Sequence, residues 1–158
     1  MEFPSHFFHP FIVHVPVVLP LIISLFCLLQ WRKLSSFRIE LWMIVALQCV
    51  FSVMAFYSGS WVSDTVVERL QPSAREALEW HYLWGRVVLL GSLVTGAVVV
   101  VATIATRHER HFAFLAILIS FSLSALSLIA GATGGVLVHE HGINLLFTEP
   151  QREMSSNP

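Results

Sequence analysis

The sequence has few charged residues, and this scarcity excludes an ordinary water-soluble domain. Charged side chains make up 12% of the 158 residues against 56% hydrophobic ones, whereas soluble globular domains carry about 25% charged residues. The formal net charge is only −1, and no basic cluster of the kind that binds nucleic acid occurs. The composition therefore predicts a membrane protein whose partner is the lipid bilayer, with no nucleic acid.

The sequence also shows neither a paired-cysteine motif nor the pattern of a cleavable leader. Cys27 and Cys49 both lie inside apolar segments, and neither a C-x-x-C pair nor a C-x-x-C-H haem attachment motif occurs. We interpret both cysteines as small buried hydrophobic residues. The first residues lack the positive charge that opens a secretory signal peptide, so we expect the first apolar run to be retained as a membrane span.

The sequence does contain four apolar segments, each close to the roughly 20 residues that cross a hydrocarbon core. They are residues 11–31, 39–61, 80–106 and 112–138. Each segment is apolar all round, whereas a surface helix of a soluble protein has a polar stripe. Because short links make neighbouring helices antiparallel, we predict an all-α fold, a four-transmembrane-helix up-down bundle. This domain covers residues 1–143, and residues 144–158 form a polar tail.

Basic residues are concentrated in the two short links. These links carry Arg32, Lys33, Arg38, Arg107 and Arg110 against Glu40 and Glu109. The other ends of the spans carry more acidic than basic residues. The positive-inside rule then places the short links in the cytoplasm, and both termini and the long segment 62–79 on the outer side. Within that segment, Ser73 and Glu76 have capping-box spacing after Pro72, which predicts a helix that begins there and continues into the third span.

Histidines are frequent for so apolar a chain. Of the eight, this orientation places six near the outer face: His6, His9, His14, His81, His139 and His141. His108 and His111 lie in a basic link and are interpreted as solvated or facing lipid headgroups. A single interfacial imidazole can snorkel to water or bond a carbonyl, but three helix ends that bring imidazoles to one depth predict a shared ligand site.

The surroundings of these histidines add detail. Pro10 suits the first position of a helix, so His14 is expected about one turn inside the first span, and Pro16 and Pro20 predict a kink there. His139 and His141 flank Glu140 just beyond the fourth span. Arg86, a turn and a half inside the third span, either snorkels or pairs with an anionic group such as a haem propionate, a quinone headgroup or Asp64.

Three segments resemble motifs of one family. Residues 9–16, HPFIVHVP, resemble the opening H-P-x-x-V-H-F-P of the DUF2231 family of small bacterial membrane proteins, with Val15 in place of phenylalanine. Residues 81–85 match an H-x-x-x-G, and residues 134–142 resemble G-G-x-L-V-Y-x-H-G, where His141 takes the histidine position and His139 the usual aromatic position.

The resemblance implies a four-span protein of the bacterial cytoplasmic (inner) membrane. It also implies that His9, His14, His81 and His141 are the recurring polar residues. Similar domains occur joined to cytochrome c-like or Rieske-like modules, which indicates electron transfer. The protein would then be an oxidoreductase or an electron-transfer component, and the sequence identifies no catalytic residue.

Our first hypothesis is a b-type haem protein that transfers electrons at the outer leaflet. Neutral imidazoles are good axial ligands for haem iron. We expect His14 to pair with His81, and His9 with His141 if a second haem is bound. Gly85, Gly131, Gly134 and Gly135 would give the flat ring clearance, or would instead allow close helix packing. Quinol or an external cytochrome would be the redox partner.

Two alternatives remain open. In the first, His9, His14, His81, His141 and His139 bind zinc or copper, with Glu140 or Asp64 completing the ligand shell. In the second, the protein is a non-catalytic accessory membrane subunit whose histidines hold the outer ends of the helices together. The sequence also leaves open whether the chain forms a homo-oligomer.

Overall fold

The computed structural model describes residues 5–143, with side chains from His9 onward except at position 106, and the polar tail predicted for 144–158 lies outside this range. The described residues form five α-helices joined by turns: α1 Ser5–Ile12, α2 His14–Leu29, α3 Arg38–Val66, α4 Pro72–Ile104 and α5 Glu109–His139. Short 3₁₀ turns cover Leu34–Phe37, Val67–Arg69 and Thr106–His108.

Four helical segments are long and apolar enough to cross a membrane. They are His9–Leu29, Leu34–Arg69, Pro72–Ile104 and Glu109–His139. Helices α2, α3, α4 and α5 pack in a ring, each against two neighbours, while α1 packs mainly on α3. The predicted all-α, four-helix membrane bundle is confirmed. The large apolar side chains exposed along these helices form the surface that lipid contacts.

The start of α4 is predicted correctly, but its cap is not. The helix begins at Pro72, with Pro72 in its first turn, and continues through the third span to Ile104. However, Gln71 occupies the N-cap position with extended backbone angles and no side-chain cap hydrogen bond. Because Pro72 already starts the helix, Ser73 lies inside it and cannot serve as the capping residue of the Ser73–Glu76 box.

Prolines divide the first span near its beginning. The expected Pro10 start is wrong, because α1 already begins at Ser5 and Pro10 lies inside it. A turn at Val13 then separates α1 from α2. Pro16 lacks the amide hydrogen that would bond the carbonyl of Ile12, but Val13 keeps helical backbone angles, with φ −65° and ψ −19°, so the kink predicted for this region stays a prediction. Helix α1 packs mainly against α3.

Pro20 exposes a second backbone carbonyl, and two other helices bond it. Without an amide hydrogen on Pro20, the carbonyl of Pro16 has no partner in its own helix. Gln48 of α3 donates to this carbonyl through Nε2 at 3.5 Å, and Ser127 of α5 donates through Oγ at 3.3 Å. Neighbouring side chains compensate in this way for a broken helical bond inside a membrane bundle.

The same glutamine connects α3 to α4. Gln48 Nε2 also lies 3.2 Å from Ser52 Oγ and 3.0 Å from Ser92 Oγ, so its two hydrogens are shared among three acceptors. The two serine hydroxyls lie 2.8 Å apart. Ser92 Oγ donates in turn to the carbonyl of Val88. These residues form a buried polar layer across the four-helix ring, which we define as Pro16, Gln48, Ser52, Ser92 and Ser127.

Deeper than the buried hydroxyls of Thr95 and Ser120, toward the C-terminal end of α4, most of the bundle interior is apolar. The side chains there form an apolar cluster, made of Ile23, Cys27, Leu34, Leu41, Val45, Val99, Ala113 and Ala116. Cys27 is fully buried in the cluster and Cys49 is half-buried beside it, and both are free thiols. The interpretation as a small buried residue is therefore confirmed for Cys27, whereas Cys49 is only half-buried.

Replacing Ser92 with alanine should destabilise the bundle, because it removes the acceptor of both Gln48 and Ser52. We expect Ser92→Ala to lower the free energy of unfolding by about 0.6–1.7 kcal/mol, the range for hydrogen bonds between membrane helices. Reversible unfolding in mixed detergent micelles measures this loss. Ser122→Ala, the same change at an exposed position of α5, is the control and should have no measurable effect. Equal losses in both variants would contradict the role of the layer.

Candidate functional site

Two histidines from distant parts of the chain meet near the N-terminal end of α4. His9 is on α1 and His81 is on α4, and their ring centroids lie 6.3 Å apart with the ring planes at 88°. Both side chains are half-buried. We refer to this end of the bundle as the histidine end. For these two residues, the structure agrees with the expectation that imidazoles from different spans lie close together.

The ring of His9 is held by a serine of α3. Its Nδ1 lies 2.9 Å from Ser58 Oγ, and Ser58 Oγ donates its hydrogen to the carbonyl of Ala55 at 3.0 Å. Assigning the serine hydrogen to the Ala55 carbonyl makes Ser58 the acceptor and His9 Nδ1 the donor. A neutral imidazole has one protonated nitrogen, so Nε2 of His9 retains a free lone pair.

The ring of His81 is held in the same way by α5. Its Nδ1 lies 3.1 Å from the carbonyl oxygen of Ala130 and 3.1 Å from Thr133 Oγ1, which itself donates to Ala130 at 2.8 Å. A carbonyl oxygen can only accept, so Nδ1 of His81 carries the hydrogen. Both histidines therefore adopt the same tautomer with Nε2 free. Metal-ligating histidines are oriented by this type of second hydrogen bond.

A glycine beside each hydroxyl leaves room for the ring. A methyl group added at Gly59 would lie 2.8 Å from Cε1 of His9, and one added at Gly134 would lie 3.0 Å from Cε1 of His81. Each ring thus packs against the bare backbone of a helix. The two settings share a local pattern, Ala-x-x-Ser/Thr-Gly, which reads AFYSG at 55–59 and AGATG at 130–134.

The other candidate histidines lie elsewhere. His14 is the first residue of α2 and is exposed, and His139 is the exposed last residue of α5. His141 lines a surface pocket with Gln71 and Ala74, and Ala74 precedes His81 by two helical turns, about 10 Å. The structure therefore pairs His81 with His9 instead of His14, and it leaves His141 away from the pair. The side chain of His6 lies outside the described residues.

A larger cluster of metal ligands does not form among the residues that the structure describes. Within this part of the chain, no three His, Cys, Asp or Glu side chains are close enough to share a metal ion. The set of His9, His14, His81, His139 and His141 expected for zinc or copper is thus separated, and so are the extra ligands Glu140 and Asp64. The bundle brings together two imidazoles, those of His9 and His81, each with a free Nε2 atom.

Comparison with protein families shows that one family model matches most of the chain. The model of the family described as "Predicted membrane protein (DUF2231)" matches residues 5–146. The chain belongs to the DUF2231 family. No curated protein and no solved structure matches it.

The three motifs of this DUF2231 protein contribute unequally to the pair. The first supplies His9 and the middle one supplies His81. The last contributes Gly134, which lies against the His81 ring, whereas its histidine, His141, lies beside the start of α4. Thr133, which holds His81, directly precedes that last motif. The motifs thus indicate the correct region but not which of their histidines meet.

The remaining candidates of the DUF2231 protein have other surroundings. The guanidinium of Arg86 lies over the ring of Tyr82, 4.5 Å from its centroid, and its side chain is exposed. A methyl group added at Gly85 would be in ordinary contact with Phe56, and one at Gly131 or Gly135 would meet nothing within 4 Å. Among the glycines expected to face a cofactor, only Gly134 touches a histidine.

Ser58, Gly59 and Thr133 were not predicted from the sequence. Serine, threonine and glycine are common at interfaces between membrane helices, so none of the three is conspicuous alone. The signal that would have found them is the repetition of Ala-x-x-Ser/Thr-Gly near the C-terminal ends of the second and fourth spans. A five-residue pattern is too short to be recognised as a sequence repeat. Its significance is clear only once the structure shows a histidine ring against each copy.

Adding a methyl group at either ring-facing glycine should destabilise the protein. Gly59→Ala and Gly134→Ala push on a tethered imidazole, and we expect the loss of about one hydrogen bond, roughly 1 kcal/mol of unfolding free energy or more. Gly131→Ala, on the same helix as Gly134 but with free space, should be neutral or stabilising by up to about 1 kcal/mol through helix propensity. Thermal unfolding in detergent compares them. A similar change in all three variants would refute this account of the glycines.

Proposed function

We propose that this DUF2231 protein is a b-type haem protein in which His9 and His81 are the two axial ligands. It would transfer electrons at the outer leaflet of the bacterial cytoplasmic membrane. The proposal keeps the haem hypothesis drawn from the sequence and replaces the expected His14–His81 pair by the pair that is in contact.

The observation that carries the proposal is the geometry of the two imidazoles. Each donates its Nδ1 hydrogen to the protein, which leaves Nε2 available as a ligand. Two imidazoles that bind one metal from opposite sides, with metal–nitrogen bonds of about 2.0–2.1 Å, have ring centroids about 6 Å apart. The centroids of His9 and His81 are 6.3 Å apart. This separation supports the proposal that His9 and His81 would together hold one haem iron.

The number of ligands favours haem over a bare metal ion. The porphyrin itself supplies four nitrogens, so a haem iron needs only two ligands from the protein. A structural zinc site needs four protein ligands and a catalytic one needs three, and the described residues bring no three such side chains together. A two-histidine site is thus complete for haem and incomplete for zinc.

The protein's own residues would orient and tune this site. Bound haem would supply one-electron redox chemistry. Ser58 and Thr133 fix the tautomer and direction of each ring, and a hydrogen bond to the distal nitrogen makes the ligating nitrogen more basic. The site would stay preorganised because the two tethers lie on separate helices, α3 and α5.

The distribution of basic residues supports the proposed orientation of the protein in the membrane, and that orientation in turn suggests its redox partners. The end of the bundle opposite to the histidines carries Arg32, Lys33, Arg38, Arg107 and Arg110, and the positive-inside rule assigns such an end to the cytoplasm. The histidine end would then face outward. A redox site at this depth is accessible to quinol in the membrane or to an external cytochrome, which we propose as electron donor and acceptor.

An absorption spectrum of the protein purified in detergent after haem-replete expression tests the proposal. We expect a Soret band that shifts on reduction, and a reduced α-band typical of bis-histidine ligation. His9→Ala and His81→Ala should each lose most of the bound haem, because each removes one of two axial ligands.

His14→Ala is the matched control, since it removes an exposed imidazole from the neighbouring helix α2 and should retain the haem. Circular dichroism and gel filtration establish that each variant is folded. A wild-type protein without a Soret band overturns the proposal, and so does full haem retention by folded His9→Ala and His81→Ala. The first result would favour the accessory-subunit hypothesis.

A further inference from the structure

Most buried polar side chains lie in the half of the bundle nearer the histidines. Thr103, in the other half, already has its partners, since it accepts from Trp42 Nε1 at 2.9 Å and donates to the carbonyl of Val100 at 2.8 Å. At the histidine end lie His9 and His81 with their tethers, and the polar layer around Gln48 follows about two turns deeper. Buried hydroxyls then continue toward the middle of the bundle, and they belong to Ser124, Ser120 and Thr95. The apolar cluster begins directly beyond them.

The contacts between α4 and α5 place Thr95 opposite Ser120. A methyl at Gly134 would meet His81, and one at Gly91 would meet Leu123, which sets the register of these antiparallel helices. One further turn along this register brings Thr95 of α4 level with Ser120 of α5. This level lies about one turn below Ser92 and thus below the polar layer.

Three atoms at these two levels have no hydrogen-bond partner. They are Oε1 of Gln48, Oγ1 of Thr95 and Oγ of Ser120. All three side chains are fully buried, with 0% exposure. A buried polar group without a partner costs several kcal/mol in a hydrocarbon environment, and native structures rarely retain such groups without a ligand or ordered water.

The chemistry of the three atoms specifies the ligand. Gln48 Oε1 can only accept a hydrogen bond, whereas the two hydroxyls both donate and accept. No charged residue is among the buried polar side chains of the described range, so an ion has no counter-charge there. Water is the ligand that is small enough, neutral, and able to donate to the glutamine while it exchanges bonds with the hydroxyls.

We propose that the histidine-side half of the bundle axis binds water down to the level of Thr95 and Ser120, and that the apolar cluster stops it there. The protein would then contain a water-filled half-path from the histidine end to mid-membrane, with a dry inner half. Such a path delivers protons to the middle of the membrane without connecting the two sides. The proposal does not depend on haem, since it concerns residues deeper than the histidine pair.

Single cysteines on one face of α5 distinguish the wet half from the dry half. In a Cys27→Ala, Cys49→Ala background, Ser120→Cys places a thiol at the proposed water site, and Ala116→Cys places one a single turn deeper in the apolar cluster. Both native side chains are fully buried. The protein is reconstituted in nanodiscs and treated with Ag⁺, which reaches thiols through water, and remaining free thiols are counted by intact mass spectrometry.

We expect Ser120→Cys to react faster than Ala116→Cys by on the order of tenfold or more, because thiol chemistry requires solvent access. The pair Thr95→Cys and Val99→Cys repeats the comparison on α4, again between two fully buried positions one turn apart. Circular dichroism before and after treatment verifies that each variant stays folded. A folded Ser120→Cys or Thr95→Cys that is as unreactive as its deeper partner overturns the proposal, as does equal reactivity at all four positions.

Discussion

The structure depends on one constraint, which is that polar groups inside the membrane must find their hydrogen-bond partners within the bundle. Pro20 shows its effect on the backbone, because the carbonyl it leaves unbonded in α2 is bonded by Gln48 and Ser127 from two other helices. Pro20 removes one hydrogen bond within α2, and the freed carbonyl of Pro16 instead accepts hydrogen bonds from α3 and α5. These bonds connect three helices.

The same constraint shapes the histidine pair. An imidazole withdrawn from water needs a partner for its N–H, and Ser58 and the Thr133–Ala130 pair provide one for each ring. The consequence is chemical as well as structural, since both rings are locked in one tautomer with the same nitrogen free. Gly59 and Gly134 complete the arrangement by letting each ring approach the helix backbone.

Polarity along the bundle axis is asymmetric, and this asymmetry suits a site that communicates with one side only. The half near the histidines contains hydroxyls and the Gln48 amide, whereas the other half contains mainly Ile, Leu, Val, Ala and Cys side chains, with the bonded hydroxyl of Thr103 as an exception. Small residues on α4 and α5 allow the close packing that keeps the second half tight. A redox or ligand-binding group at the histidine end would thus exchange with its own side while the opposite end remains sealed.

The sequence by itself determined the four spans, their order and the start of α4 at Pro72, because length, hydropathy and proline act locally along the chain. It also indicated that histidines from several spans approach one another. Only the tertiary structure decided which ones meet, since His9 and His14 are five residues apart, yet His9 lies beside His81 and His14 is exposed. The roles of Ser58 and Thr133 were likewise decided by tertiary structure. Helix rotation and register set these contacts, and no local pattern of residues encodes either one.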